Sequence, residues 1–351
     1  MKRKRALIIA LIYLISLFGF VSCNAGRKRY EAQFLQLFDT VTTIVSFADS
    51  KEEFNEFSVF IYDTLKEYHQ LFDIYNDYEG INNIKTINDN AGKNPVKVDQ
   101  RIIDLLLFAK QGYEKTKGKV NIALGSVLKI WHDYREKGID DPENAKLPPM
   151  DELKAAKEHT DINNLVINQE ESTVYLTDPE MSIDVGAIGK GYAVEQVAKK
   201  AEEKGYTSAL LSVGGNVRAI GSKDGKGKPW NIGVENPEKT EDGSPLLVTE
   251  IVGKSVVTSG IYQRYYTVDG KNYHHIIDPD TLMPHDNFKS VTIICDDSGM
   301  ADMLSTAVFN MPFDEGLRFV NSLQGVEAVW VLMDGQIKYS DNFQQYLSKQ
   351  A

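Results

Sequence analysis

Between residues 51 and 72, apolar side chains recur at spacings of three and four: Phe54, Phe57, Ile61, Leu65, Tyr68 and Leu71. That period puts them on one face of an amphipathic helix. Similar patterns predict helices over residues 101–113, 124–135, about 189–204 and 301–310. Elsewhere the chain is rich in short β-branched runs. Residues 37–47 predict a strand, and NLVINQEESTVYLT predicts a hairpin. SALLSV, WNIGVE, LLVTEIV, KSVVTS, SVTIIC, EAVWVLM and GQIKYS read as further strands, the last two joined by a turn at Asp334-Gly335. Residues 138–151, with Pro142, Pro148 and Pro149, predict a loop or insertion. Helices grouped apart from runs of strands, without a repeat, indicate an α+β fold with mainly antiparallel sheets and helices packed outside.

The first residues break this pattern. Lys2, Arg3, Lys4 and Arg5 precede an apolar run at residues 6–21, which ends Phe-Val-Ser-Cys at Cys23. The run is shorter than the roughly 20 residues that span a bilayer. It predicts a lipoprotein signal peptide over residues 1–22, lipid on Cys23, a polar tether over 23–36 and a single domain over 37–351. An uncleaved anchor is the competing reading. Either way the domain is expected to be held at the cell membrane, facing the periplasm or cell exterior.

Composition narrows the chemistry. The chain of 351 residues carries a formal charge of −11, and loss of the signal would remove four basic residues and no acidic one. An acidic protein of this kind is not a general nucleic-acid binder. With Cys23 lipidated only Cys295 remains of the two cysteines, so no intrachain disulfide is expected. Cys295 ends an apolar run and reads as a core residue.

Four segments carry candidate chemistry. IDVGAIGKGYAVE, residues 183–195, sets glycines and Lys190 at a helix start, which suits an anion. It is not a Walker A loop, because Asp184 and Gly191 stand where that pattern needs Gly and Ser/Thr, and it lacks GxGxxG. An ordinary strand-to-helix turn with a solvated lysine is the competing reading. SVGGN ends a strand in Gly214-Gly215, with Asn216 able to orient a ligand or simply to follow a hairpin turn. TSGIYQRYYTVDGKNYHHIIDPDT gathers Ser259, Tyr262, Arg264, His274, His275 and Asp278. Adjacent histidines on a strand face opposite ways, and His275 is a candidate acid/base. In MADMLSTAVF, Asp302 and Thr306 share a helix face, with Ser305 between them. A carboxylate with a hydroxyl and no Cys or His suits Mg²⁺ rather than Zn²⁺. A capping Asp and a back-bonded Thr would give the same pattern.

Taken in order, DVGAIGKGY, SVGGN, TSGIYQRY with HHIIDP, and ADMLSTA resemble the ApbE family of FAD:protein FMN transferases. LFDTVTTI, LFDIYNDYEGINNIKTIN and GKVNIALGSVLKIW resemble the family's earlier segments, so the likeness runs from about residue 37 to about 309. Phe38-Asp39 stand where the family has Met-Gly. The resemblance implies a two-lobed, often lipid-anchored, Mg²⁺-dependent enzyme that attaches FMN from FAD to a threonine of an acceptor protein. Such acceptors are typically subunits of ion-pumping NADH:quinone or ferredoxin-linked redox complexes. It implies metal ligation by the Ala187 carbonyl, Asp302 and Thr306, with Ser305 adjacent. FAD contacts would fall on Phe38, Tyr75, Val120, Asn121, Ile122, Asp184, Lys190 and Ile276, and His275 would serve transfer. Two alternatives remain: hydrolysis of FAD to FMN and AMP, and a lipoprotein that binds FAD without chemistry.

Overall fold

A computed structural model describes residues 27–238 and 243–349, so the predicted signal peptide and Cys23 lie outside the described residues. The chain opens with a hairpin of β1 (Lys28–Leu37) and β2 (Thr40–Ala48). Helices α1 (Lys51–Phe72) and α2 (Ile84–Asp89), strand β3 (Val96–Lys97), and helices α3 (Gln100–Lys115), α4 (Gly125–Asp140) and α5 (Met150–Lys157) follow. A hairpin of β4 (Leu165–Asn168) and β5 (Thr173–Leu176) leads to α6 (Gly189–Glu203). Next come β6 (Ser208–Val213), β7 (Asn216–Gly221), β8 (Trp230–Val234), β9 (Leu247–Ile251) and β10 (Ser255–Gly260). The chain continues through β11 (Tyr265–Val268), β12 (Lys271–His274), β13 (Phe288–Cys295), α7 (Ser298–Phe309), α8 (Phe313–Asn321), β14 (Glu327–Leu332) and β15 (Ile337–Tyr339).

Eight strands form one sheet in the order β1-β2-β6-β7-β10-β13-β14-β15, and every neighbouring pair is antiparallel. Alternation along each strand divides the core. Ile44, Leu211, Val257, Ile293 and Trp330 belong to the large cluster shared with α1, α3, α6 and α7. Val45, Ala219, Val256, Ile294 and Val329 belong to a second cluster covered by the β8–β9 hairpin through Trp230, Ile232 and Val234. A third cluster forms a smaller lobe. Leu124, Val127 and Trp131 of the α4 segment pack there with Leu153, Tyr266, Val268 and Leu282. The Trp131 indole donates to the Leu282 carbonyl at 2.9 Å, which satisfies its polar edge.

The predicted tether is corrected from residue 28 onward. Tyr30, Ala32 and Phe34 alternate with exposed Arg29, Glu31, Gln33 and Leu35. Tyr30 stacks on Phe54 of α1 and Phe34 meets Tyr62 edge-on, so β1 is an edge strand fastened to the first helix. The single strand expected over residues 37–47 is also corrected, because a two-residue turn at Phe38-Asp39 divides it. Both residues there have positive φ, 55° and 49°. None of the described helices is long and apolar enough to cross a membrane.

A buried ion pair fixes α6 against the sheet. Arg218 of β7 donates from Nε to Glu195 of α6 at 2.9 Å, and Glu195 also accepts the Ser298 amide at the start of α7 at 2.8 Å. Removing Arg218 leaves the buried Glu195 carboxylate with only the half-exposed Lys199, 3.5 Å away, as a counter-charge. Arg218→Leu is therefore expected to destabilise the fold by about 3–5 kcal/mol, measured by urea unfolding.

Candidate active site

A cleft of about 460 Å³ opens between the two lobes. One wall is built from ends of the large sheet. The β1–β2 turn supplies Phe38 and Asp39, the β6–β7 turn supplies Gly214 and Asn216, and the end of β10 supplies Thr258, Ser259 and Gly260. Gly214 and Gly215 have φ of 56° and 89°, so this tight hairpin turn needs the freedom of glycine. A Cβ on Gly214 would sit 2.6 Å from Thr40 Oγ1.

The floor is the crossing of α6 and α7. A Cβ on Gly191 would lie 2.4 Å from both the Ser298 carbonyl oxygen and Asp302 Cβ, so the helices touch by backbone. The approach lets the Gly191 amide donate to Asp302 Oδ2 at 2.8 Å. The next amide, that of Tyr192, bonds four residues back to Ile188, whereas Gly191 gives its proton to Asp302 instead of following that pattern to the Ala187 carbonyl. Gly191→Ala is expected to wedge the helices apart and cost about 1–3 kcal/mol, read from the unfolding midpoint.

Asp302 and Thr306 of α7, and Asn310 just past its end, follow one another at intervals of four residues, and all three line the cleft. Burial raises the Asp302 pKa, opposed by Lys190, the Gly191 amide and Asn216. Asn310 Oδ1 is buried without a protein partner. Among the described residues no group of three or more His, Cys, Asp or Glu side chains could hold a metal. The oxygen set on the cleft floor is of a different kind: one carboxylate, one hydroxyl and the Ala187 segment beside them. It fits a hard cation that completes its shell with substrate oxygens and water.

Several of the expected residues do meet here: Phe38, Tyr75, Val120, Asn121, Asp184, Ala187, Lys190, His275, Ile276, Asp302 and Thr306 all line the cleft. Two do not. Ser305 is fully buried behind it, its hydroxyl donating to the Asp302 carbonyl at 2.9 Å and sharing a 2.8 Å bond with Ser259. Its expected place beside the metal is corrected, because its position on the helix aims it at β10. Ile122 is a core residue whose carbonyl accepts the Asp184 amide, so it holds the loop from behind. Asn121 lines the cleft, but its side chain caps the turn at Ala123 and donates to the Thr160 carbonyl. The start of α6, which the sequence suits to an anion, has fewer free amides than a bare helix end. Those of Gly189 and Gly191 are taken by the Val185 carbonyl and Asp302.

His274 and His275 separate as neighbouring strand positions do. His274 is buried edge-on to Phe309, and its Nε2 lies 3.1 Å from the His285 carbonyl. His275 is accessible in the cleft, with Nδ1 3.2 Å from the Arg264 carbonyl. A carbonyl only accepts, so Nδ1 carries the proton and Nε2 the lone pair. Desolvation between the cleft walls, with the charges of Arg264 and Lys190, holds the ring well below the usual histidine range and hence neutral.

The opposite wall contains residues that the sequence patterns did not single out. Asp73 closes α1 and accepts from the amides of Tyr75 and Asn76, the Asn76 side chain and the Tyr78 hydroxyl. Burial opposes ionisation of Asp73, but these bonds hold its pKa below the ordinary value. Tyr75 lies against His132 with ring centroids 5.4 Å apart, and Arg135 reaches His132 Nδ1 at 2.8 Å. The Tyr75 side chain is half exposed, and partial desolvation by the cleft walls together with the nearby Asp184 pushes its phenol up to about 12. His69 and Lys119 complete this side.

The ApbE family model matches residues 38–330. The chain is 34% identical over 270 residues to the FAD:protein FMN transferase of Treponema pallidum, covering 73% of this chain and 72% of that protein. It is 30% identical to a protein of the same name from Klebsiella pneumoniae, covering 76% and 82% of the two chains. The crystal structure of the ApbE protein from Thermotoga maritima superposes with a TM-score of 0.80 at 30% identity, covering 92% of this chain and all of that one. A histidine-to-glycine variant of the Vibrio cholerae flavin transferase ApbE gives 0.73 at 25%, with coverage of 92% and 100%.

Proposed function

The chain belongs to the ApbE family, and on that premise we propose that it transfers FMN from FAD to a threonine hydroxyl of an acceptor protein, releasing AMP. The observation that carries the reading is the convergence of Asp302, Thr306, Lys190 and His275 on one cleft of a volume that suits a dinucleotide. Asp302, Thr306 and the Ala187 carbonyl would hold Mg²⁺, which when bound would neutralise charge on the FAD pyrophosphate. Lys190 adds a fixed positive charge at the same phosphates. The acceptor hydroxyl attacks the FMN phosphorus, and its proton passes to His275 Nε2. The bond from that phosphorus to the bridging oxygen breaks, and the oxygen leaves with AMP. Phe38 and Tyr75 shape the flavin end, while Val120 and Ile276 offer apolar wall.

Lipid on Cys23 would keep this chemistry at the membrane, facing the periplasm or cell exterior, near acceptors such as subunits of ion-pumping redox complexes. Support for the anchor is the N-terminal sequence alone.

The test is to incubate the purified protein with FAD, Mg²⁺ and such an acceptor subunit. Flavin fluorescence on the acceptor after denaturing electrophoresis, matched by AMP release, is the expected result. AMP without labelled protein would indicate a hydrolase, and intact FAD a binding protein.

A further inference from the structure

We propose that His69 is a positioning residue for the flavin end of the substrate, holding the Phe38-Asp39 turn in place from α1 while the Tyr78–Asp73 pair orients its ring. The proposal rests on the reading above, in which Phe38 and Tyr75 take the flavin. Phe38 and Asp39 both adopt the left-handed conformation, which Asp tolerates but which a bulky Phe does not adopt readily. A tie from outside the hairpin holds this turn. The Phe38 amide donates to His69 Nδ1 at 3.3 Å, and the Phe38 ring meets the imidazole edge-on with centroids 5.4 Å apart.

The two ring nitrogens have different tasks. An amide only donates, so Nδ1 is the unprotonated nitrogen and Nε2 carries the proton. His69 Nε2 lies 3.3 Å from the Tyr78 hydroxyl, which donates to Asp73 Oδ2 at 2.7 Å. The other oxygen of Asp73 accepts the Tyr75 amide at 2.7 Å. An unbroken chain of contacts thus joins one aromatic wall of the cleft to the other through a single imidazole. His69 sits in the last turn of α1, so the rigid helix sets the spacing.

Asparagine places an acceptor where Nδ1 stands, and glutamine places a donor where Nε2 stands. His69→Asn therefore keeps the tie to Phe38, His69→Gln keeps only the tie to Tyr78, and His69→Ala keeps neither. Calorimetric titration with FAD is expected to give His69→Asn an affinity within about threefold of the parent protein. His69→Gln and His69→Ala are expected to bind about tenfold more weakly, the equivalent of one lost hydrogen bond. Melting temperatures should fall alike for Asn and Gln, which separates positioning from general destabilisation. Glutamine binding FAD as tightly as the parent, or asparagine binding as weakly as alanine, would overturn the assignment. Failure of the parent protein to bind FAD would instead overturn the functional reading beneath it.

Discussion

Asp302→Asn is expected to lower FMN transfer by about a thousandfold, or roughly 4 kcal/mol of transition-state stabilisation. Asparagine is the informative substitution because Asp302 has two tasks. One oxygen accepts the Gly191 amide and so holds α6 on α7. Asparagine retains an acceptor for that bond and removes only the charge. Alanine removes both, and its additional loss of stability, about 1 kcal/mol for the missing hydrogen bond, would blur the result. Measured by covalent flavin on the acceptor, Asn and Ala should be almost equally inactive, while Asn melts close to the parent.

Linkage gives this prediction a second readout. Burial raises the folded-state pKa of Asp302, so without a cation the folded protein binds that proton more tightly than the unfolded chain. The contribution is stabilising at low pH and is lost as pH rises through the folded pKa. A bound cation reverses the balance by favouring the carboxylate. Mg²⁺ at a hundred times its dissociation constant should stabilise the parent by about 2.7 kcal/mol and leave Asp302→Asn unmoved. Undiminished transfer in EDTA, or in the asparagine variant, would remove the metal from the reading.

The floor of the cleft was legible because its chemistry lies in short segments with their own local logic. Asp302 and Thr306 share a helix face by period alone, and Gly191 marks a close approach beside Lys190. The far wall was not. His69 and His132 occupy positions on helices whose pattern reports only which face is apolar, and they reach the cleft by packing of α1 and α4. Asn121 shows the reverse error: it reaches the cleft, but local turn geometry uses its side chain. Strand β1 was missed because an edge strand buries a single face, and Tyr30, Ala32 and Phe34 are too few to stand out among polar neighbours. Ser305 lies three residues after Asp302 and so passes the same spacing rule as Thr306, but its hydroxyl is committed to the Asp302 carbonyl and Ser259, so spacing alone does not decide which hydroxyl reaches the cleft.

His275→Ala is expected to slow transfer by roughly 10²–10⁴-fold while FAD still binds, since a positioned general base contributes that much. The geometry separates catalysis from binding. Nδ1–H is held by the Arg264 carbonyl, which leaves the Nε2 lone pair as the site able to take a proton. His275→Gln tests this directly: its amide reaches the ε position but has no basic nitrogen, so it should restore shape without rate. The pH profile carries the sign. A base works when unprotonated, and desolvation together with Arg264 and Lys190 lowers the pKa of this ring. The active form therefore persists below the ordinary histidine range. In the parent protein the rate should stay level as pH falls through 6.5, the unperturbed value, and decline only at lower pH. Removing the positive charge with Arg264→Gln should move that decline upward. A parent rate that halves near the unperturbed value would mean that the ring is not desolvated during turnover. Equal single-turnover rates for parent and His275→Ala would assign the proton to another acceptor.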